Sequence, residues 1–317
     1  MISKSQFVQK LFSEKSVALF MHMRPDGDTI GSTLALYLAL KQKGIDAKVF
    51  CSDAIPNKFS YLSSVSEVNN VFSGEYTALV SVDCADVARL GDFASVYDTH
   101  KNTYNVDHHI SNTKYADYNY VVDNASNCEN VYDLLQESNI NIDTEMANLL
   151  LTGLVTDTGN FAHSNVTPST LDVAAKLLNC GGNLNKIVYC NFKAQSKERA
   201  KLHGLVTSKI RYFLDDRFGV ITITQEDFAK TGATQDQTEG FIDFLMGVEC
   251  LQVGACVMEI GKEKYKISFR SKGPDVNAVA GCFGGGGHVL ASGCQIHGLY
   301  EEVIDKIVFA VSKYLQD

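Results

Sequence analysis

Residues 17–50 read VALFMHMRPDGDTIGSTLALYLALKQKGIDAKVF, and this stretch decides the fold class. Val17–Met21 is an apolar run of strand length. The segment His22-Met23-Arg24-Pro25-Asp26-Gly27-Asp28 then breaks it, because Pro25 disfavours helix at Arg24 and Gly27 permits a tight turn. Asp28 is expected to cap a helix whose apolar stripe is Ile30, Leu34 and Leu38 and which ends near Gly44. Ala47–Phe50 restarts a strand. Strand, loop, helix and strand in that order make the βαβ unit of a parallel sheet.

The pattern continues along the chain. Ala78–Val82 reads as a strand running into Asp83-Cys84-Ala85-Asp86. Thr103–Val106 reads as a shorter one running into Asp107-His108-His109, and Tyr118–Val122 as a further extended piece. Asn127–Glu137 and Thr144–Val155 read as helices, the second leading to Thr156-Asp157-Thr158-Gly159, and Ser169–Leu178 as another. Residues from about 183 to 210 are polar and helix-compatible with no obvious apolar stripe. They fit a connector, or a helix packed on either flanking domain. Beyond them the alternation at Gly219–Thr224, a helix at Thr238–Met246 and a hairpin of Gln252–Ile260 with Tyr265–Arg270 mark a different unit. A helix from Val276, the run Gly284-Gly285-Gly286-Gly287-His288 and a helix from Tyr300 to Leu315 close it. The expected organisation is an α/β protein in two parts. Residues 1–185 form a parallel-sheet domain, 186–212 a connector, and 213–317 a smaller α/β domain.

Bulk properties agree with two soluble domains. The chain has 317 residues, too many for one typical core, with 45% hydrophobic and 21% charged residues. A net charge of −9 argues against a basic surface that coats long duplex nucleic acid. It leaves room for a small anionic substrate held by bound cations and a few local basic groups. The nine cysteines are odd in number and lack any Cys-x-x-Cys pair, which points to a reducing, cytoplasmic compartment. No signal peptide and no transmembrane run is read.

Three stretches place ionisable groups directly after strands: His22 with Asp26 and Asp28, Asp83, and Asp107 with His108. In open parallel sheets the carboxyl ends of the strands line one crevice, where ligands bind. Asp157, after its helix, can reach the same rim. Any one of these acids could be a helix cap or turn residue. All of them together on one rim without a cation would raise their pKa values and cost stability. A pair of divalent ions resolves the crowding. Mixed Asp/His ligation without cysteine suits Mn²⁺, Mg²⁺, Fe²⁺, Co²⁺ or Zn²⁺. Two such ions roughly 3.5–4 Å apart clamp both oxygens of an in-line phosphoryl displacement, so phosphoester hydrolysis through a shared hydroxide is the implied chemistry. His108 and His109, being adjacent, point in different directions if the chain there is extended. One can then ligate metal while the other serves substrate. The glycine run is neither a dinucleotide fingerprint nor a P-loop. It is a loop needing unusual backbone angles, or an anion cradle in which Arg270, Ser271 and His288 assist the backbone N–H groups.

Taken in order, five motifs resemble the DHH-family phosphoesterases with a glycine-rich DHH-associated C-terminal domain. They are His22-Met-Arg-Pro-Asp26-Gly-Asp28, Asp83-Cys-Ala-Asp86, Asp107-His108-His109, Thr156-Asp157-Thr158-Gly159 and Gly284-Gly-Gly-Gly-His288-Val-Leu-Ala291-Ser-Gly293. Length and domain order resemble the NrnA type within that family. The resemblance implies hydrolysis of very short oligoribonucleotides and of 3′-phosphoadenosine 5′-phosphate, in a cleft between the two domains. It further implies that His22 and Asp26 hold one metal, Asp28, His108 and Asp157 the other, and that Asp83 bridges them, with manganese favoured. His109 and Asp107 would be the catalytic pair beside the metals. Arg270, Ser271, Gly285, Gly286, Gly287 and His288 would grip the substrate's terminal phosphate. Asn127-Cys128-Glu129 departs from the family pattern, which has a small hydroxyl residue before the acid. The competing readings are an inorganic pyrophosphatase of related architecture, against which the glycine-rich motif speaks, and a non-catalytic nucleotide sensor, against which the intact ligand set speaks. Substrate ranking, polarity, the physiological metal and the oligomeric state, a homodimer included, are left open by the sequence.

Overall fold

The structure, a computed structural model, describes residues 2–315 and divides into two compact units at Ala194/Gln195. The first unit contains strands β1 (Ser16–Phe20), β2 (Asp46–Phe50), β3 (Val68–Asn69), β4 (Ala78–Val82), β5 (Thr103–Asp107) and β6 (Tyr118–Val121). They form one sheet in the order β3-β2-β1-β4-β5-β6, and every pairing is parallel. This is the sheet expected from residues 17–50. Strand order reverses between β1 and β4, so the switch point lies where the chain leaves Phe20 and Val82.

The unit's helices are α1 (Lys4–Leu11), α2 (Gly27–Gln42), α3 (Ala94–Thr99), α4 (Asn127–Glu137), α5 (Thr144–Asp157), α6 (Pro168–Asn179) and α7 (Leu184–Val188). Helix α2 differs from its reading in two ways. Its cap is Asp26, whose side chain accepts from the backbone N–H of Asp28 and Thr29, and Asp28 lies in the first turn. The helix is also buried almost all round, from Gly27 to Tyr37 and again at Ala39 and Leu40. A single stripe was the wrong pattern because α2 is packed by α4 and α5 as well as by the sheet. Such a helix carries no amphipathic signal. The approach of α2 to α5 is close. A Cβ on Gly31 would lie 2.3 Å from the Leu149 carbonyl oxygen, and one on Gly153 2.3 Å from Cys128 Sγ. Apolar side chains of α2, α4 and α5 fill one face of the sheet, and an aromatic cluster of Phe20, Phe50, Phe93 and Tyr97 fills the other.

The second unit begins with α8 (Lys197–Thr207). This segment showed no apolar stripe in the sequence, yet Leu202 and Val206 are fully buried. Strands β7 (Arg211–Phe213), β8 (Phe218–Ile223), β9 (Val253–Gly261), β10 (Lys264–Ser271), β11 (Gly286–His288) and β12 (Ala291–His297) form a sheet in the order β11-β12-β10-β9-β8-β7. Only β8 with β9 is parallel. Helices α9 (Gln225–Thr231), α10 (Phe241–Met246), α11 (Val276–Gly281) and α12 (Tyr300–Ser312) complete it. One sheet face packs on α11 and α12. The other is covered by α8, α9 and α10 over β8 and β9. Beyond them, on β10, β12 and β11, the outward residues Lys266, Gln295 and His288 are exposed. Strands β7 and β12 and helix α9 were not anticipated, because a three-residue strand and the small residues Ala291-Ser292-Gly293 carry little propensity signal. Among the described residues no helix is long and apolar enough to cross a membrane.

Candidate active site

The parallel sheet delivers its acids to one point because β1, β4 and β5 are neighbours and end together. His22 follows β1 and Asp83 follows β4. Asp107 is the last residue of β5, with His108 next. Helix α2 starts beside them with Asp26 and Asp28, and α5 ends there on Asp157.

Three groups of candidate ligands result: Asp83 with His108 and His109, His22 with Asp26 and Asp83, and Asp28 with His108 and Asp157. Asp83 faces the ligands of all three. Its Oδ2 lies 3.5 Å from His22 Nε2 and its Oδ1 3.5 Å from His108 Nε2. His22 Nε2 is also 3.6 Å from Asp26 Oδ2, and His108 Nε2 is 3.7 Å from Asp28 Oδ2 and 3.5 Å from Asp157 Oδ2. The opposite ring nitrogens are committed. His22 Nδ1 donates to the Met23 carbonyl at 2.7 Å and His108 Nδ1 to that of Asn124 at 3.0 Å. In the neutral ring Nε2 is therefore the nitrogen left with a lone pair, as a metal ligand requires.

The electrostatics describe a cluster with too much negative charge for its surroundings. Burial and the Asp28 carboxylate push Asp83 up to about 6. Burial, Asp28 and Asp83 push Asp157 up to about 11. Burial opposes protonation of His22, but hydrogen bonds to Asp26 and Asp83 overcome it and raise the imidazole to about 10. Asp83 Oδ1 is buried with no hydrogen-bond partner, and Asp83 adopts φ +58, a conformation that non-glycine residues hold only when the surroundings impose it. A buried carboxylate oxygen without a hydrogen bond, facing two imidazole Nε2 atoms and three further carboxylates, is the donor set of a hard or borderline divalent cation once the rings are neutral. The residues fit such an ion.

His109 is held differently. Its Nδ1 donates to Asp107 Oδ1 at 2.8 Å, and its ring lies 4.7 Å from that of His108. The two histidines follow the strand's end rather than lying in it, so their rings touch and both face Asp83 Oδ1, His108 Nε2 at 3.5 Å and His109 Nδ1 at 3.7 Å, although the hydrogen bond of His109 is to Asp107. Asp107 is buried, and its Oδ2 accepts from Asn112 Nδ2 at 2.6 Å. His109 is 31% exposed at the side chain, which leaves Nε2 at the accessible rim.

Several supporting residues were missed in the sequence. Asp28 is fully buried against the start of α4, where Ser126 Oγ donates to Oδ1 at 2.6 Å, Asn127 N to Oδ2 at 2.6 Å and Cys128 N to Oδ1 at 3.0 Å. A carboxylate at a helix N-terminus is favoured by the free N–H groups and the helix dipole. The segment Asn127-Cys128-Glu129 thus acts here through its backbone. Asn130 Nδ2 donates to the Asp107 carbonyl at 2.9 Å. Arg89, whose charge opposes protonation of His109, makes no side-chain hydrogen bond or ion pair among the described residues. A Ser-x-x-Glu before an apolar run was the one available signal for the α4 cap.

The second unit brings Arg270 and His288 onto one rung, since both pair with Ala291 of β12. Directly opposed residues share a sheet face, so the guanidinium and the imidazole flank a single Cβ. Ser271 follows Arg270 and by alternation faces the other way, its Oγ accepting from Gly273 N at 3.0 Å. Gly286 pairs with Gly293 on the rung beside Arg270 and His288. Gly285 and Gly287 are required for packing, since a Cβ there would lie 2.2 Å from the Gly293 carbonyl oxygen and 2.5 Å from that of Ala291. Gly287 N donates to Asn277 Oδ1 at 2.8 Å.

Comparison with known proteins adds the following. Residues 16–154 match the DHH family, N-terminal domain, and residues 217–317 match the DHHA1 domain. A bifunctional oligoribonuclease and PAP phosphatase NrnA from Thermus thermophilus is 32% identical over 305 residues, covering 93% of this chain and 90% of that protein. The protein of the same name from Bacillus subtilis is 26% identical over 298 residues, covering 93% of each. Among solved structures, an exopolyphosphatase-related protein from Bacteroides fragilis has the same fold, with a TM-score of 0.83 at 24% identity, covering 98% of this chain and 96% of that one.

Proposed function

The chain belongs to the DHH family of phosphoesterases, and from that premise we propose that it hydrolyses short oligoribonucleotides and 3′-phosphoadenosine 5′-phosphate to mononucleotides. Its class, a hydrolase acting on phosphoester bonds, follows from the family and from relatives named as oligoribonuclease and PAP phosphatase.

The supporting observation is Asp83, a buried carboxylate whose Oδ2 faces His22 and whose Oδ1 faces His108, the latter oxygen without a hydrogen bond. In this reading His22, Asp26 and Asp83 would hold one divalent ion, and Asp28, His108, Asp157 and Asp83 a second, with manganese as the ion in use. Bound divalent ions supply Lewis acidity toward a phosphoryl oxygen and lower the pKa of water.

The remaining roles belong to side chains. Asp107, anchored by Asn112, fixes the His109 ring so that Nε2 holds or moves a proton at the rim of the site. The Asp28 carboxylate is oriented by the N-terminus of α4. Arg270 and His288 take the substrate's non-reacting phosphate, the guanidinium as a charged donor. The reducing, cytoplasmic compartment belongs to the same proposal, supported by nine cysteines that are all unpaired.

The test is incubation of the purified protein with 5′-labelled RNAs of two to five nucleotides and with 3′-phosphoadenosine 5′-phosphate, in Mn²⁺ and in chelator. Mononucleotides should accumulate only with the ion. Hydrolysis of inorganic pyrophosphate with neither nucleotide substrate consumed would replace this reading with that of a pyrophosphatase.

A further inference from the structure

Strand β10 carries a second line of chemistry that a single terminal-phosphate contact does not use. Along Lys264–Ser271, Tyr265, Ile267 and Phe269 are buried against α11 and α12, so Lys266, Ser268 and Arg270 share the opposite face. The neighbouring strands do not cover it. On β12 the outward residues are Ala291, Gly293 and Gln295, and β11 beyond is exposed throughout. The registers make three rungs across this open floor. Arg270 lies with Ala291 and His288, Ser268 with Gly293 and Gly286, and Lys266 with Gln295.

From β10 outward through β12 and β11 the middle rung bears no side chain except the Ser268 hydroxymethyl, with Cys256 beside it on β9, so a ligand can lie flat on the sheet there. The rungs on either side of it each end in a cationic side chain, Arg270 and Lys266. Neither Lys266 nor Ser268 makes a side-chain hydrogen bond or ion pair among the described residues, although the chain as a whole carries a net charge of −9. Two cavities border the row. One of about 320 Å³ is lined by Thr238, Ile242 and Met258 with Lys266, Ser268 and Arg270. The other, of about 430 Å³, is lined by Phe283, Gly284, Gly293 and Gln295 with Lys266 and Ser268. Asp236 and Glu239 also line the first.

We propose that Ser268 and Lys266 form a length-reading subsite for single-stranded RNA, taking the phosphate that follows the one held by Arg270 and His288. This rests on the oligoribonuclease reading above. Same-face residues of a strand repeat at about 6.8 Å, the order of one nucleotide step in an extended single strand, and the lysine stem lets its ammonium reach back over the bare rung. The flanking cavities take sugar or base, with Phe283 and Met258 as their apolar surfaces. The occupant is a phosphodiester chain because two cations in line with an uncovered backbone between them match a repeating anion better than a lone one.

Lys266→Ala, Lys266→Arg and Ser268→Ala decide it. In Lys266→Ala the ratio of kcat/KM for a tetranucleotide to that for a dinucleotide should fall roughly tenfold through KM, and Lys266→Arg should restore most of it. Ser268→Ala should lower the ratio in the same direction by a smaller factor. Independently, metal-free equilibrium binding of a fluorescent 5′-phosphorylated tetranucleotide should lose about 0.7 from its log K against log salt slope in Lys266→Ala. Lys266 is exposed, so Tm should not move. An unchanged length ratio together with an unchanged salt slope overturns the subsite. A wild-type protein that cleaves no RNA overturns the oligoribonuclease reading instead, and the binding slope then decides the subsite alone.

Discussion

At the scale of single residues, Asp83 carries the most consequence. It has a φ of +58 and a buried oxygen without a hydrogen bond, and in the proposed site a cation would offset the cost of both. Asp83→Asn keeps the shape and the tolerance of left-handed backbone while removing the charge. Manganese titrated calorimetrically should bind with much lower affinity or stoichiometry, and turnover should be lost. Without metal the variant should be more stable than the parent by on the order of 1–3 kcal/mol, and so melt higher, because one member of the carboxylate crowd is gone. Wild-type affinity in this variant would remove the bridging assignment. His109→Ala separates a second role from the first. With Nδ1 bonded to Asp107 and the ring at the rim, its loss should leave metal content intact and lower kcat by roughly 10²–10⁴-fold. Metal loss equal to that of His108→Ala would exchange the two histidines' roles. Every one of these side chains was visible in the sequence because acids after strands are a local pattern. The donors that hold Asp28 were not, because Ser126 and the N–H groups of Asn127 and Cys128 meet it across about a hundred residues of chain.

At the scale of elements, the active site depends on how closely three helices approach. Helix α4 presents its N-terminus to Asp28, and Ser126 both caps the helix and donates to the carboxylate. Ser126→Ala should therefore cost about 1–2 kcal/mol of stability and weaken manganese binding by roughly 10–100-fold, as loss of a group that orients a ligand does. Loss of stability with no change in affinity would reduce Ser126 to a cap. Gly153 shows why α5 must carry glycine beside the site. A Cβ there would lie 2.3 Å from Cys128 Sγ and 2.5 Å from Asp28 Oδ1. Gly153→Ala gains about 1 kcal/mol of helix propensity, but overpacking at such contacts costs about 1–3 kcal/mol. The variant should melt lower, and a higher melting temperature would mean that α5 can shift away. Long helices such as α4 and α5 were legible because their apolar spacing and caps are local. The cap of α2 was misplaced by two residues because Asp26 and Asp28 are both good capping residues, and only the tertiary partner of Asp28 separates them.

At the scale of the whole molecule, the sequence divided the chain by pattern. Strands alternating with helices gave way to a hairpin-bearing half, and the structure has an all-parallel sheet before Ala194 and a mostly antiparallel one after it. Strand pairing in the second half was legible only for β9 with β10, where the Gly261–Lys264 turn is local. The pairing of β12 with β10, which puts His288 on the rung of Arg270, depends on contacts that no short window contains. In the proposed function that rung would bear on how the protein tells one phosphoester from another. Arg270 is 40% exposed, and its nearest acid, Asp243, is itself 67% exposed at 3.9 Å. An exposed pair at that distance contributes at most about 1 kcal/mol, so Arg270 is not needed to fold its unit. Removing it should act on substrates with a second phosphate. A charge-assisted contact is worth about 1.5–3 kcal/mol, so Arg270→Ala should lower kcat/KM for a 5′-phosphorylated dinucleotide and for 3′-phosphoadenosine 5′-phosphate by roughly 10–100-fold. An aryl phosphodiester with no second phosphate should lose far less. If Arg270 instead served only to hold its unit together through Asp243, both kinds of substrate would suffer alike and the melting temperature would fall with them. Rates on both substrates and a melting curve from one preparation distinguish the two, and an equal loss on both removes Arg270 from the phosphate site.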